Sequence, residues 1–104
     1  MQTNGNRLDA LGDSTRRQVF ELLRGGPRSV GELAAELPVS RPAVSQHLRV
    51  LEDAGLVSHR RQGTRHLYEL DPAGVGALRA WVDAFWNEAL ARFKERADTR
   101  GGTE

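Results

Sequence analysis

Between Pro38 and Gly55 the chain has few ways to fold. Proline strains a helical conformation in the residue before it and lacks an N–H, so Pro38 ends whatever precedes it. Gly55 suits the left-handed residue that closes a helix. Between them, Val44, Leu48 and Leu51 fall at i, i+4 and i+7 and line one stripe of a helix over 40–54. Ser40 is its N-cap, and Pro42 sits in the first turn, where a missing N–H costs nothing. Off the stripe lie Arg41, Ser45, Gln46 and Arg49. Each can donate a hydrogen bond, and no carboxylate appears until Glu52.

The same punctuation divides the rest of the chain. Residues 1–6 are polar and expected to fray, with Leu8 and Leu11 in a short first helix. Asp13 or Ser14 caps a second helix through Val19, Phe20, Leu22 and Leu23, which Gly-Gly-Pro at 25–27 ends. Ser29 and Glu32 have the spacing of a capping box heading a short helix with Leu33 and Leu37 inward. After Gly55 the period changes. Residues 57–61 and 65–70 read as two strands around a Gln62-Gly63 turn. Asp71-Pro72 then starts a long helix to about Ala97, and 98–104 reads as a flexible tail. A short helix, a tight turn and a helix with a polar outer face is helix-turn-helix order, and the hairpin after it makes a wing. The expected fold is mainly α with a small β-hairpin wing, in one domain over 7–97.

Bulk charge is uninformative at +1, but its placement is not. Residues 39–66 carry five Arg against Glu52 and Asp53, together with all three His, while the segments on either side are neutral or acidic. The absence of Cys removes disulfides, thiolate metal sites and cysteine nucleophiles. No apolar run approaches the ~20 residues of a membrane helix, and the N-terminus has no signal-peptide centre, so a cytoplasmic protein is expected.

The donor face suits a DNA major groove, which admits one helix and presents mostly acceptors. Arg41, Gln46 and Arg49 can reach base edges, and Ser40 and Ser45 can bind phosphate oxygens. An ordinary solvated face is the plain alternative, but such a face usually mixes signs, as the last helix does. In the wing, a two-residue Gln62-Gly63 turn sets Arg61 opposite Thr64, Arg60 opposite Arg65 and His59 opposite His66. Facing like charges destabilise a hairpin unless a polyanion sits beside it. A charged edge that discourages sheet pairing is the alternative there. His59 and His66 lack the further ligands a structural zinc needs, so no metal is expected. His47 fits a phosphate contact or a packed helix residue better than a ligand.

The last helix carries Val75, Leu78, Val82, Phe85 and Ala89 at spacings of three and four, widened by Trp81, Trp86, Leu90 and Phe93. A chain this small does not easily cover so broad a face, so these residues are core or a subunit seam. A homodimer seam completed by Leu8 and Leu11 is the favoured reading, and it would give DNA binding a two-fold axis. Catalysis finds no support. Ser14, Ser29 and Ser40 are caps, and neither Gly-Gly-Pro nor Gly74/Gly76 makes a phosphate loop.

Three stretches, LDALGDSTRRQVFELL, SVGELAAELPVSRPAVSQHLRVLEDAGLV and RRQGTRHLYELDP, together resemble the ArsR family of bacterial winged-helix repressors over about residues 7–97. The most specific part is Ser40, Ser45, His47, Leu48 and Leu51, followed by Ala-Gly-Leu-Val and the Arg-Gly wing. The resemblance implies a homodimer that represses transcription at an inverted repeat, often in its own promoter, with 40–54 as recognition helix. Metal-sensing members resemble Glu-Leu-Cys-x-Cys at the short helix, where this chain has Glu32, Leu33, Ala34, Ala35 and Glu36. Others place His ligands on the last helix, and no His follows His66. The ending is similar to a metal-independent subgroup. The expected site is therefore Ser40, Arg41, Pro42, Ser45, Gln46, His47, Arg49, Arg60, Arg61 and Arg65 on double-stranded DNA, without a cofactor. The alternatives are a winged module that binds a protein partner through the same face, or a repressor released by a small molecule near Trp81 and Trp86.

Overall fold

A computed structural model of the chain describes residues 3–102, with side chains through residue 98. The order is α1 (Asn4–Ala10), α2 (Ser14–Leu22), a 3₁₀ turn (Leu23–Gly25), α3 (Val30–Ala35), α4 (Arg41–Asp53), β1 (Val57–Gln62), β2 (Arg65–Leu70) and α5 (Pro72–Gly102). This is the expected helical chain with a hairpin wing. No helix among the described residues is long and apolar enough to cross a membrane.

Local chemistry explains most element boundaries. Asp13, not Ser14, caps α2, its carboxylate accepting from the Arg16 N–H at 2.9 Å. The Ser29–Glu32 box is complete in both directions, at 3.1 and 3.2 Å. Ser40 Oγ accepts from the Ala43 N–H at 3.3 Å at the head of α4. At its foot, Gly55 takes φ 79°. Its N–H bonds to the Glu52 carbonyl at 2.9 Å, and the Leu56 N–H bonds to that of Leu51 at 3.0 Å. The two bonds form a Schellman closure. Asp71 Oδ1 accepts from the Ala73 N–H at 3.0 Å to open α5.

Three boundaries differ from the sequence expectation. Thr3 caps α1 through the Asn6 N–H, so residues 4–6 are helix where fraying was expected; residues 1–2 lie outside the described residues. α3 ends at Ala35 with Glu36 as its C-cap, ahead of Pro38, because Leu37 already precedes a proline. α5 runs on to Gly102, past the expected stop near Ala97, because no breaker precedes Gly101; residues 103–104 lie outside the described residues.

The wing's register also differs. Gln62 pairs with Arg65, Arg61 with His66, Arg60 with Leu67 and His59 with Tyr68, so the turn is Gly63-Thr64. Gly63 has φ 65°, and among the described residues no non-glycine residue has a positive φ. A two-residue hairpin turn with one positive φ places it at the first central position, which glycine occupies at least cost. A Gln62-Gly63 turn would have forced Gln62 there. The expected opposition of Arg60 and Arg65 therefore does not occur, and no cross-strand repulsion between them calls for a polyanion. His59 and His66 become diagonal neighbours with ring centroids 5.6 Å apart.

The core gathers the inward stripes. Val19, Leu23, Leu33, Val44, Leu48, Leu51, Leu56 and Val57 are all buried. Each stabilises the fold by roughly 1.5–3 kcal/mol relative to exposure. These contacts fix α4 against α2 and α3, with its donor face outward. A backbone bridge from Arg28 to Tyr68, at 2.9 and 2.8 Å, fastens β2 to the segment before α3.

The capping box also makes stability depend on pH. Two hydrogen bonds to Ser29 hold the Glu32 carboxyl below its usual 4.5, and Arg65 and Arg28 lower it further. A lowered folded value means the stabilisation is present at neutral pH and is lost as pH falls through that value. Thermal melts of wild type and Glu32→Gln should differ at pH 7 and converge in acid. A gap that persists in acid would show that charge is not its source.

Candidate nucleic-acid interface

Helix α4 presents the predicted residues as one surface. Arg41, Pro42, Ser45, Gln46 and Arg49 are exposed, while Val44, Leu48 and Leu51 are sealed beneath them. Among the described residues, the side chains of Arg41, Ser45, Gln46 and Arg49 make no hydrogen bond or ion pair to the protein. Their donors are available to a ligand. The Arg41 guanidinium lies over Gly31 in α3, where an added Cβ would come within 3.1 Å of it. Ser40 already accepts a bond with its hydroxyl oxygen but keeps its proton to donate. His47 is half-buried and within electrostatic reach of Asp13 at the head of α2. The Arg16 N–H bond, above all, holds the Asp13 carboxyl below its usual range, and His47 adds to that.

The three wing arginines differ from one another. Arg61 stands near the tip and donates from Nε to the Gly63 carbonyl at 3.2 Å, and among the described residues its terminal nitrogens have no protein partner. Arg60 is loosely placed, 3.9 Å from Glu69. Arg65 is paired on the surface with Glu32 at the head of α3. On the other strand, His59 Nδ1 lies 2.7 Å from Glu52 of α4 and its ring is 5.1 Å from that of Tyr68. The sequence reading missed both carboxylates. Glu32 and Arg65 are 33 positions apart, and no local signal connects them.

The remaining predicted residues lie on α1 and α5. Leu11 and Leu78 are half-buried against the chain's own core. Leu8, Trp81, Val82, Phe85, Trp86, Ala89, Leu90 and Phe93 are exposed, with Phe85 and Phe93 at 66%. Trp86, Ala89, Leu90 and Phe93 line an apolar groove of about 340 Å³. Exposed apolar side chains clustered in this way are characteristic of contact surfaces. Among the described residues, no group of three or more His, Asp or Glu is arranged to hold a metal ion.

Known proteins share this arrangement. The family profile described as bacterial regulatory protein, arsR family, matches residues 13–59. The HTH-type transcriptional regulator Rv2034 of Mycobacterium tuberculosis is 55% identical over 92 residues, covering 88% of this chain and 86% of its own. The chain belongs to the ArsR family. Its winged helix-turn-helix is therefore the DNA-binding fold of a transcriptional regulator, and its relatives are regulators rather than enzymes. The transcriptional repressor SdpR of Bacillus subtilis is 32% identical over 80% of this ArsR-family chain and 92% of its own length. A homodimeric winged helix-turn-helix DNA-binding domain from Mycobacterium bovis, solved by NMR, superposes with a TM-score of 0.66 at 32% identity, covering 81% of this chain and 78% of that one.

Proposed function

We propose that this ArsR-family chain is a homodimeric repressor that binds an inverted-repeat operator, its own promoter among the targets. The observation that carries the reading is the set of four unspent donor side chains on the outer face of α4, with Arg61 at the wing tip as a further exposed cation. Arg41, Ser45, Gln46 and Arg49 read base edges in the major groove. Ser40, Pro42 and His47 lie against the phosphate backbone, and Arg60 and Arg61 extend the contact from the wing. Leu8 and the exposed α5 residues from Trp81 to Phe93 form the dimer seam, which sets two recognition helices about one DNA turn apart. The relative named a repressor and the homodimeric structural neighbour support the mode and the assembly.

Fluorescence anisotropy on DNA from upstream of the protein's own gene tests this, with a scrambled duplex as control. Specific binding should be about 10³-fold or more tighter than control binding at physiological salt. Equal, salt-erased binding to both would count against self-repression. Within a specific complex, Arg41→Ala or Gln46→Ala should cost roughly 1–3 kcal/mol and relax preference at one base pair. Arg61→Gln should instead weaken all sequences alike and flatten the salt dependence. An Arg41 variant with unchanged affinity and base preference would remove that residue from the reading set.

A further inference from the structure

We propose that Arg65 is a positioning residue rather than a DNA contact: paired with Glu32, it holds the wing at a set distance from the recognition helix. The inference rests on the DNA-binding reading above.

Glu32 is an unusual partner for a surface arginine, because it is already immobilised. Its Oε1 accepts from the Ser29 N–H at 3.1 Å while Ser29 Oγ accepts from its own N–H at 3.2 Å. An exposed ion pair ordinarily gains little because two long side chains must be ordered to make it. Here one is ordered in advance by the capping box, so the guanidinium meets a fixed anchor.

The anchor also sits where it has leverage. β2 is fastened to the body by its backbone at Tyr68, through the Arg28 bridge. The Arg65–Glu32 pair adds a second attachment three residues nearer the tip, about 10 Å along the strand. Arg28 itself pairs with Glu36 at the other end of α3, 3.0 Å away, so both carboxylates of this short helix brace the segment that carries the wing. On the opposite strand, His59 and Glu52 tie β1 to α4. Among the described residues the turn beyond residues 62 and 65 has no such tie, and Arg61 stands at its base. The arginine whose charge is free and the arginine whose charge is spent thus have different tasks.

Glu32→Gln separates the two roles by sign. Glutamine still completes a capping box, so α3 keeps its head while the charge of the pair is lost. If Arg65 gripped a phosphate, removing a competing carboxylate beside it would tighten operator binding. If Arg65 positions the wing, binding should weaken about two- to five-fold, the scale of an exposed ion pair. Arg65→Gln should weaken binding similarly with the salt slope unchanged, whereas loss of a phosphate contact lowers that slope by about 0.9. Amide hydrogen exchange of the free protein gives a readout that needs no DNA. The ladder amides between His59 and Leu67 should exchange faster in both variants than in wild type. Tighter binding by Glu32→Gln, or a flattened slope for Arg65→Gln, overturns the proposal. If wild type shows no operator preference, the exchange data decide alone, and unchanged wing exchange overturns it.

Discussion

Gly74→Ala should lower the urea midpoint, where Gly76→Ala should not. A Cβ on Gly74 would lie 1.7 Å from the Gly55 carbonyl oxygen and 2.6 Å from its carbon. Both are backbone atoms, and the turn that holds them cannot easily yield. Gly55 is locked in the left-handed conformation by the Schellman bonds, and the Leu56 carbonyl next to it accepts from the Asp71 N–H at 2.9 Å. Relief requires lifting α5 off the foot of α4 or breaking that closure. Overpacking usually costs 1–3 kcal/mol where side chains can shift, so a clash between two backbones should cost about 3 kcal/mol or more. Gly76→Ala is the matched control. Nothing lies within 4 Å of its added Cβ, and in a helix that change should stabilise by up to about 1 kcal/mol. Equal midpoints for the two variants would mean that α5 does not cross Gly55 this closely.

The second large effect concerns the seam. Phe85→Asp combined with Trp86→Asp should give a folded monomer, because neither side chain contributes to the chain's own core and both are more than 60% exposed. Sedimentation equilibrium should show the loss of the dimer while circular dichroism keeps the helix signal. Operator affinity should then fall on the order of 10²-fold, since two half-sites no longer share one protein and the gain from linked binding disappears. A variant that remains dimeric would place the seam elsewhere. One that is monomeric but binds the full operator as tightly as wild type would remove the two-fold reading.

Helix boundaries were legible where a single side chain sets them. Asp13, Ser29, Ser40, Gly55 and Asp71 act on backbone groups within a few positions, so their effect is written in short spacings. The same is true of the α4 stripe, whose Val44, Leu48 and Leu51 are all buried. The wing was harder. Its strands were recognisable from their residues, but their register turned on which of two positions needed a positive φ. Reading Gly63 as the second central residue rather than the first misplaced every pair by two. The far end of α5 was missed for the opposite reason: without a cap or breaker near Ala97, the sequence carries no stop to read.

The candidate site divides along the same line. Which residues can donate, where positive charge concentrates and which helix carries them are properties of composition and local periodicity, and the sequence alone determined them. Whether a given charge is available is not local. Arg61 and Arg65 are both wing arginines, four positions apart, and nothing in their neighbourhood distinguishes them. The tertiary structure decided that Arg65 meets Glu32 and Arg61 does not, because folding α3 against β2 brings together side chains that are 33 residues apart along the chain.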